Sequence, residues 1–354
     1  MKRLSRRIFV VFLIVCAVSL LHGCAPQEQE KNTKASSASE AGTEGVREET
    51  GPKIGVSIYR YDDTFMKLYR SELKQYLEET YHAEVIMRNA GGDQEEQNRQ
   101  ISQFISDGCA GIIVNPVEVS AAAGLADACS QAGIPLVFIN REPSEEEQKR
   151  WQDNHLAVSC VGTDSRQAGT YQGEIIREMP DKGDINGDGV VSYAMIMGED
   201  GNEDSLYRTE YSIKALEEGG MKTDKLFSGN GDWNKDQGKK LAQEVLNTYG
   251  SRIEVIFCNN DAMANGALEA VEEADRVPGK DIYLVGVDAL QDTVKYIKEG
   301  KITGTVLNDH EGQSQTAADT LIKMIDGEDV DTRYQVDYIK VTAISTFHTL
   351  KGED

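Results

Sequence analysis

From Lys53 onward the chain alternates short apolar runs with longer amphipathic segments. Ile54–Ile58, Glu84–Met87, Gly111–Val114 and Pro135–Ile139 read as strands, with helices predicted at Asp63–Glu79, Asp93–Asp107 and Ser120–Ala132. Ile101, Phe104 and Ile105 share one face of the second helix. The alternation resumes with strands at Val158–Val161, Ser192–Met197, Lys225–Phe227, Val255–Cys258, Tyr283–Val287 and Thr303–Val306. Helices are predicted from Asp164, after Asp204, from Asn234, from Asp261 and after Ala289. Such repetition argues for parallel α/β sheets. The strands are too many for one comfortable sheet, so two doubly wound parallel-sheet lobes are expected, joined by several crossings that suit hinge closure. The first lobe is expected over residues 53–162 with a return segment at about 309–345, the second over 163–308 with the C-terminal tail.

Ligands of such sheets sit beyond the carboxyl ends of the strands. Here those ends are polar. The first strand runs into Tyr59-Arg60-Tyr61-Asp62-Asp63-Thr64-Phe65, and the Pro135 strand into Asn140-Arg141. The Ser192 strand leads into Asn202, Glu203 and Asp204, with Arg208 a turn further on. The remaining ends carry Asn259-Asn260-Asp261, Asp288 and Asn308-Asp309. Asp or Asn ahead of a helix is a preferred N-cap, and Asp261 reads as one. Six ends with Asp or Asn, and no His, Lys or serine nucleophile among them, nevertheless suit a neutral ligand rich in hydroxyls. Carboxylates accept hydroxyl protons, amides donate and accept, and arginine donates only. Phe65 and Trp233 stand in polar surroundings and offer flat apolar faces for a pyranose ring.

The start of the chain sets the compartment. Lys2, Arg3, Arg6 and Arg7 precede an uncharged, mainly apolar run, Ile8–Leu21. At roughly 14 residues it is a secretory signal core and short for a membrane span. Leu21-His22-Gly23-Cys24 resembles a bacterial lipobox, which implies a signal peptide over 1–23 and lipid on the Cys24 sulfur. Residues 24–52 hold no aromatic side chain and read as a flexible tether. The domain is therefore expected outside the cytoplasm, anchored to the cell membrane through Cys24.

The formal net charge is −23, or −27 without the four signal cations. Phosphate binding needs a basic footprint, so nucleic acid is excluded as a partner. Cys109, Cys129, Cys160 and Cys258 lie singly in apolar contexts and read as buried free thiols.

Several ordered motifs then become specific: IGVSIYRYDDTFM at 54–66, PLVFINREPS at 135–144, CVGTD at 160–164, IEVIFCNNDAMANGA at 253–267, VGVDAL at 285–290 and GTVLND at 304–309. Together they resemble the galactose/glucose-binding proteins of bacterial ABC transporters, from about Lys53 nearly to the C-terminus. The resemblance implies a non-enzymatic, monomeric protein that holds D-glucose or D-galactose between two lobes and delivers it to an ABC permease. Residue by residue, it implies sugar contacts from Asp63, Asn140, Asp204, Arg208, Asn260, Asp288 and Asn308, with Phe65 and Trp233 as the stacking pair. Asp63 is the residue implied near the hydroxyl that distinguishes galactose from glucose. Asn202 stands where the family usually has a histidine.

A second pattern has its own physics. Asp184, Asn186, Asp188, Val190 and Ser192 recur two apart, with Gly189 at the sixth position, as in the first nine positions of an EF-hand-like calcium loop. The twelfth position is Met195 instead of the usual bidentate Glu. The family supplies that carboxylate from a distant strand, and the matching residue is Glu254. Structural calcium is thus expected on Asp184, Asn186, Asp188, the Val190 carbonyl, Ser192 and Glu254.

Three other readings compete. A glycosidase using Asp63 and Asp288 leaves the spread of sugar contacts over both lobes unexplained, and no acid stands in a clearly apolar setting. A sugar-responsive repressor of this fold would carry a DNA-binding helix pair where this chain has a signal and an acidic tether. A sensor subunit without a transport role would use the same surface.

Overall fold

The computed structural model describes residues 51–343; the signal segment, Cys24 and nearly all of the tether lie outside the described residues. The first part of the chain runs β1 (Lys53–Ile58), α1 (Thr64–Tyr81), β2 (Glu84–Asn89), α2 (Gln94–Ser106), β3 (Gly111–Val114), α3 (Ala122–Ala132), β4 (Leu136–Ile139), α4 (Glu145–Asp153) and β5 (Val158–Gly162). The middle part runs α5 (Ser165–Arg177), β6 (Val190–Met197), α6 (Glu203–Glu218), β7 (Lys222–Asn230), α7 (Lys235–Tyr249), β8 (Val255–Cys258), α8 (Asp261–Glu273), β9 (Tyr283–Val285), α9 (Gln291–Lys298) and β10 (Gly304–Leu307). The last part is α10 (His310–Ile325), β11 (Arg333–Gln335) and β12 (Ile339–Thr342).

Two six-stranded sheets result. The first has the order β2-β1-β3-β4-β5-β11 and the second β7-β6-β8-β9-β10-β12, with every pairing parallel except that of β12 with β10. Strands buried on both faces read as continuous apolar runs, and all residues of β3, β4 and β8 are buried. On one face of the first sheet Tyr69 and Leu73 of α1 and Ala317 and Leu321 of α10 cover Val56 and Ile113. On the other, Phe104, Leu125 and Trp151 cover Ile112 and Phe138, the Phe138 and Trp151 rings stacked at 5.4 Å. Cys109, Cys129, Cys160 and Cys258 are buried and free, and burial pushes the Cys129 and Cys160 thiols up to about 12.

The chain crosses between the sheets three times, at residues 163–164, 308–309 and 336–338. The return segment of the first lobe therefore ends with β11, and β12 already belongs to the second sheet, earlier than the boundary near 345 that the pattern suggested. Periodicity overlooks α4, α10, β11 and β12. The two short edge strands hold only exposed and half-buried residues, so no buried apolar run marks them. The cap of α8 is Asn260, whose side chain accepts from the Met263 amide; Asp261 is the first helical residue and fully buried. Asp261 instead accepts from the Thr305 hydroxyl at 2.7 Å and the Leu290 amide at 2.8 Å, tying β10 and the β9 loop to α8.

Candidate functional site

All ten residues singled out for sugar line one cleft between the lobes: Asp63, Phe65, Asn140, Asn202, Asp204, Arg208, Trp233, Asn260, Asp288 and Asn308. Tyr59 and Arg141 complete the lining. The cleft holds about 360 Å³ of empty space, its open mouth included. A larger groove on the first lobe, near α3 and α4, contains none of these residues.

Local structure puts each group there. Asp63 caps α1, one oxygen accepting from the Met66 amide at 2.8 Å and the other from the Tyr59 hydroxyl at 2.5 Å. Burial and the Asp63 charge push the Tyr59 phenol up, so it stays a donor. Asn202 caps α6 with its carbonyl, accepting from the Ser205 amide at 3.1 Å; its amide nitrogen remains to donate to a ligand. Phe65, in the first turn of α1, is 6 % exposed, so its ring is part core and part cleft wall.

In each lobe a fully buried asparagine just past a central strand holds the site. Asn115, after β3, accepts from the Tyr59 amide and donates to the Ile139 carbonyl and the Asn140 side chain, both at 3.1 Å. Asn259, after β8, accepts from the Gly198 amide at 3.0 Å and the Ser205 hydroxyl at 3.1 Å, and its own carbonyl takes the Arg208 guanidinium at 2.9 Å. An unpaired buried amide is costly, so both fix the loops they touch. Asn259 stands in the quoted strand-end motif, but neither residue carries a sequence mark that separates a support from a contact.

Backbone strain gathers here as well. Asn140, Asp232, Trp233, Asp288 and Ala289 all have positive φ, with Asp288 at 121°. Such conformations persist only where surroundings over-determine them. Trp233 is held by its carbonyl, which accepts from Asn260 at 3.2 Å.

The electrostatics are those of opposed acids among buried donors. Asp288 is 4 % exposed, and burial holds its carboxyl well above the ordinary range against the pull of Arg208; Asp261 and Asp63 add to the rise. Asn308 donates to Asp288 at 3.4 Å and is itself oriented by Gln313 at 2.7 Å. Arg208 is 3 % exposed, and its Nε has no partner. Two contacts bridge the lobes across the cleft. Arg141, its guanidinium 3.9 Å from the Tyr59 ring centre, pairs with Glu199 at 2.6 Å. Arg60 donates to the Asp232 carbonyl at 3.4 Å.

The Asp184–Ser192 loop is folded around its own oxygens. Asp184 accepts from the amides of Gly187, Asp188 and Gly189, Asn186 from that of Asp188, and Asp188 from that of Val190. Glu254, 1 % exposed, reaches the loop from the start of β8 and accepts from the Asn186 amide at 2.9 Å and the Ser192 amide at 2.8 Å. Burial pushes its carboxyl up, and the Asp184 and Asp188 charges add to this against the two amides. Among the described residues no three acidic, histidine or cysteine side chains converge as a ready-made metal cluster.

Comparison with known proteins agrees with this architecture. A periplasmic binding protein domain is recognised over residues 54–329. The chain is 33 % identical over 267 residues to the D-galactose/methyl-galactoside binding periplasmic protein MglB of Haemophilus influenzae, covering 74 % of this chain and 78 % of that protein. It is 29 % identical over 290 residues to a putative rhizopine-binding protein of Rhizobium meliloti, covering 82 % and 89 %. A crystal structure of an ABC transporter solute binding protein from Bacillus halodurans with bound myo-inositol superposes with a TM-score of 0.72 at 28 % identity, covering 85 % of this chain and 98 % of that one. The chain belongs to the periplasmic binding protein family, among the sugar-binding subunits of ABC transporters, and is not an enzyme.

Proposed function

We propose that the chain captures D-glucose and D-galactose between its lobes and hands them to an ABC importer. The observation that carries this is the joint placement of Phe65 and Trp233, one from each lobe, in a cleft whose remaining walls are carboxylates, amides, arginines and the Tyr59 phenol. Flat apolar faces suit the C–H faces of a pyranose, and the mixed donors and acceptors suit its hydroxyl edge. The galactose-binding relative from Haemophilus supports the hexose, and the inositol-bound structure from Bacillus makes myo-inositol the second ligand to test. Calorimetry of the mature protein with D-glucose, D-galactose, D-ribose, D-allose and myo-inositol is the test. Micromolar or tighter binding of both hexoses is expected. Heat with ribose or inositol alone would overturn the hexose assignment.

The lipobox-like motif supports an extracytoplasmic protein anchored through lipid on Cys24 beside its permease. Cys24→Ser is expected to release it from the membrane fraction; retention after a high-salt wash counts against the anchor. We further propose that Asp184, Asn186, Asp188, Val190, Ser192 and Glu254 hold calcium. The residues fit: Asp184 and Asp188 share one loop, two small turns at Gly187 (φ 75°) and Gly189 (φ 90°) wrap it, and the buried Glu254 brings a third carboxylate to it, its oxygens accepting from the Asn186 and Ser192 amides. When bound, the ion neutralises those charges and stabilises the fold by mass action. The loop precedes β6 and its residues do not line the cleft, so chelation is expected to lower the melting temperature while sparing most sugar affinity. A melting curve that chelator leaves unmoved refutes the metal.

A further inference from the structure

Tyr338 sits in the third crossing between the sheets, 3 % exposed and outside the cleft lining. Its hydroxyl lies 2.8 Å from Thr163 Oγ1 in the first crossing, 3.0 Å from Arg208 Nη2 and 3.5 Å from Ser165 Oγ. Its backbone amide donates to Gln167 Oε1 at 2.7 Å, so the crossing strand is fixed to α5 at that residue. A guanidinium only donates. The Tyr338 oxygen therefore accepts from Arg208, and its hydroxyl shares a further hydrogen bond with Thr163, the nearer of its two hydroxyl neighbours, while Ser165 donates to Asp204. The rest of the guanidinium is assigned in the same way. Nη1 donates to the Asn259 carbonyl at 2.9 Å, Asp204 stands 3.6 Å from Nη2, and Nε alone is buried without a partner. The two clamps take one N–H from each terminal nitrogen and fix the plane of the guanidinium, leaving Nε and the second N–H of each terminal nitrogen outside them. One clamp, Asn259, belongs to the sheet, and the other belongs to the hinge.

We propose that Tyr338 is a positioning residue for sugar binding. From the hinge it orients the Arg208 guanidinium, which lines the cleft, and its hydroxyl is hydrogen-bonded to Thr163, which joins two of the three lobe crossings through one hydroxyl. Hinge geometry and the Arg208 guanidinium are then one hydrogen-bonded unit, and the arginine is correctly aimed only when the crossings are registered. This deepens the sugar-site reading and holds for whichever sugar the cleft takes.

The test is calorimetry and thermal melting of wild type, Tyr338→Phe, Thr163→Val, Arg208→Lys and the Arg208→Lys/Tyr338→Phe double variant, against D-glucose, D-galactose, D-ribose, D-allose and myo-inositol. For the sugar that wild type binds most tightly, Tyr338→Phe is expected to lose roughly ten- to hundredfold in affinity, the range for a hydrogen bond to a charged group. Thr163→Val, which removes the phenol's hydrogen-bond partner in the first crossing, is expected to lose several-fold. In the Arg208→Lys background Tyr338→Phe should add less than about twofold, because the coupling partner is gone. A role in packing alone predicts lowered melting temperatures with unchanged affinity, or the same affinity loss in both backgrounds, and either result overturns the proposal. If Tyr338→Phe does not fold, Thr163→Val decides: unchanged affinity overturns it. Failure of wild type with both hexoses alongside binding of another sugar overturns the hexose reading and leaves this one to be scored on that sugar.

Discussion

Gly198→Ala tests the stacking wall without touching a polar contact. Gly198 is buried, and its backbone is not in the left-handed region, so alanine strains nothing locally. An added Cβ would lie 2.2 Å from Cζ2 of Trp233, 2.3 Å from Cη2 and 2.4 Å from Cε2. Carbon atoms settle at about 3.5–4.0 Å, so the indole must retreat by more than about 1 Å. Neither backbone gives way easily. The Gly198 amide is bonded to Asn259 at 3.0 Å, and Trp233 is held at φ 63° with its carbonyl bonded to Asn260. The ring's open side is the cleft, so the retreat is into the space where a sugar stacks. Overpacking of this kind costs about 1–3 kcal/mol, which as binding energy is roughly a five- to 150-fold loss of affinity. Calorimetry measures that loss, and tryptophan emission follows the ring, because the other tryptophan, Trp151, is buried against Phe138. In a Trp233→Ala background the same alanine should cost nearly nothing. Binding by Gly198→Ala within about twofold of wild type, or an equal loss in both backgrounds, refutes the stacking role of Trp233.

Glu199→Gln removes one partner of the Arg141 pair that bridges the lobes. Glu199 is 45 % exposed, so solvent screens the pair and about 0.2–1 kcal/mol is expected, seen as faster sugar release and a weaker salt dependence than in wild type. Release rates that match wild type at low and high salt would show that the pair does not latch the closed form. Asp288→Asn is expected to stabilise the ligand-free protein while abolishing tight sugar binding. Its folded carboxyl is held above the unfolded value, so the unfolded chain loses its proton first, and stability drains away as pH rises from about 4 up to the raised folded value. The melting-temperature gain of the variant over wild type should therefore grow with pH across that window; a gain that is constant or shrinks would contradict the shift. Asp261, raised to about 6 mainly by burial, titrates in both proteins, and because its charge and that of Asp288 raise one another, their coupling adds to the difference in the same direction.

The fold was largely legible because its central strands are short and doubly buried. Runs such as Gly111–Val114 and Val255–Cys258 leave little room for another reading. The cleft was legible for a related reason: a doubly wound sheet must present its strand ends together, and those ends carried Asp and Asn. What stayed hidden was second-order. Tyr59 and Arg141 lie inside motifs quoted for their neighbours, yet a tyrosine or an arginine at a strand end has many ordinary uses. Asn115 and Tyr338 act through other side chains, and nothing in a sequence marks a residue by what it supports. The edge strands β11 and β12 were lost because they are paired mainly through backbone, with half-exposed side chains that leave no periodic trace.

The acids of the cleft favour closure of the lobes around a sugar over closure of the empty cleft. Asp63 comes from the first lobe and Asp288 from the second, and the Asp63 charge already contributes to holding the Asp288 carboxyl up in this closed arrangement. Bringing them together without ligand buries one carboxylate in the field of another. The available donors offset this only in part. Asn308 reaches Asp288 at 3.4 Å, and one N–H of each Arg208 terminal nitrogen is given to Asn259 or Tyr338. A ligand that brings several hydroxyl donors supplies the missing partners at once, and it does so only where both lobes are within reach. Its affinity is therefore greater for the closed form than for the open one by the energy of those contacts, and that difference is the only means by which a ligand shifts such an equilibrium. Cross-lobe contacts such as Arg141–Glu199 lower the cost of closing for any occupant, whereas the opposed aspartates raise it for an empty cleft. The balance between the two sets selects a hydroxyl-rich molecule over water.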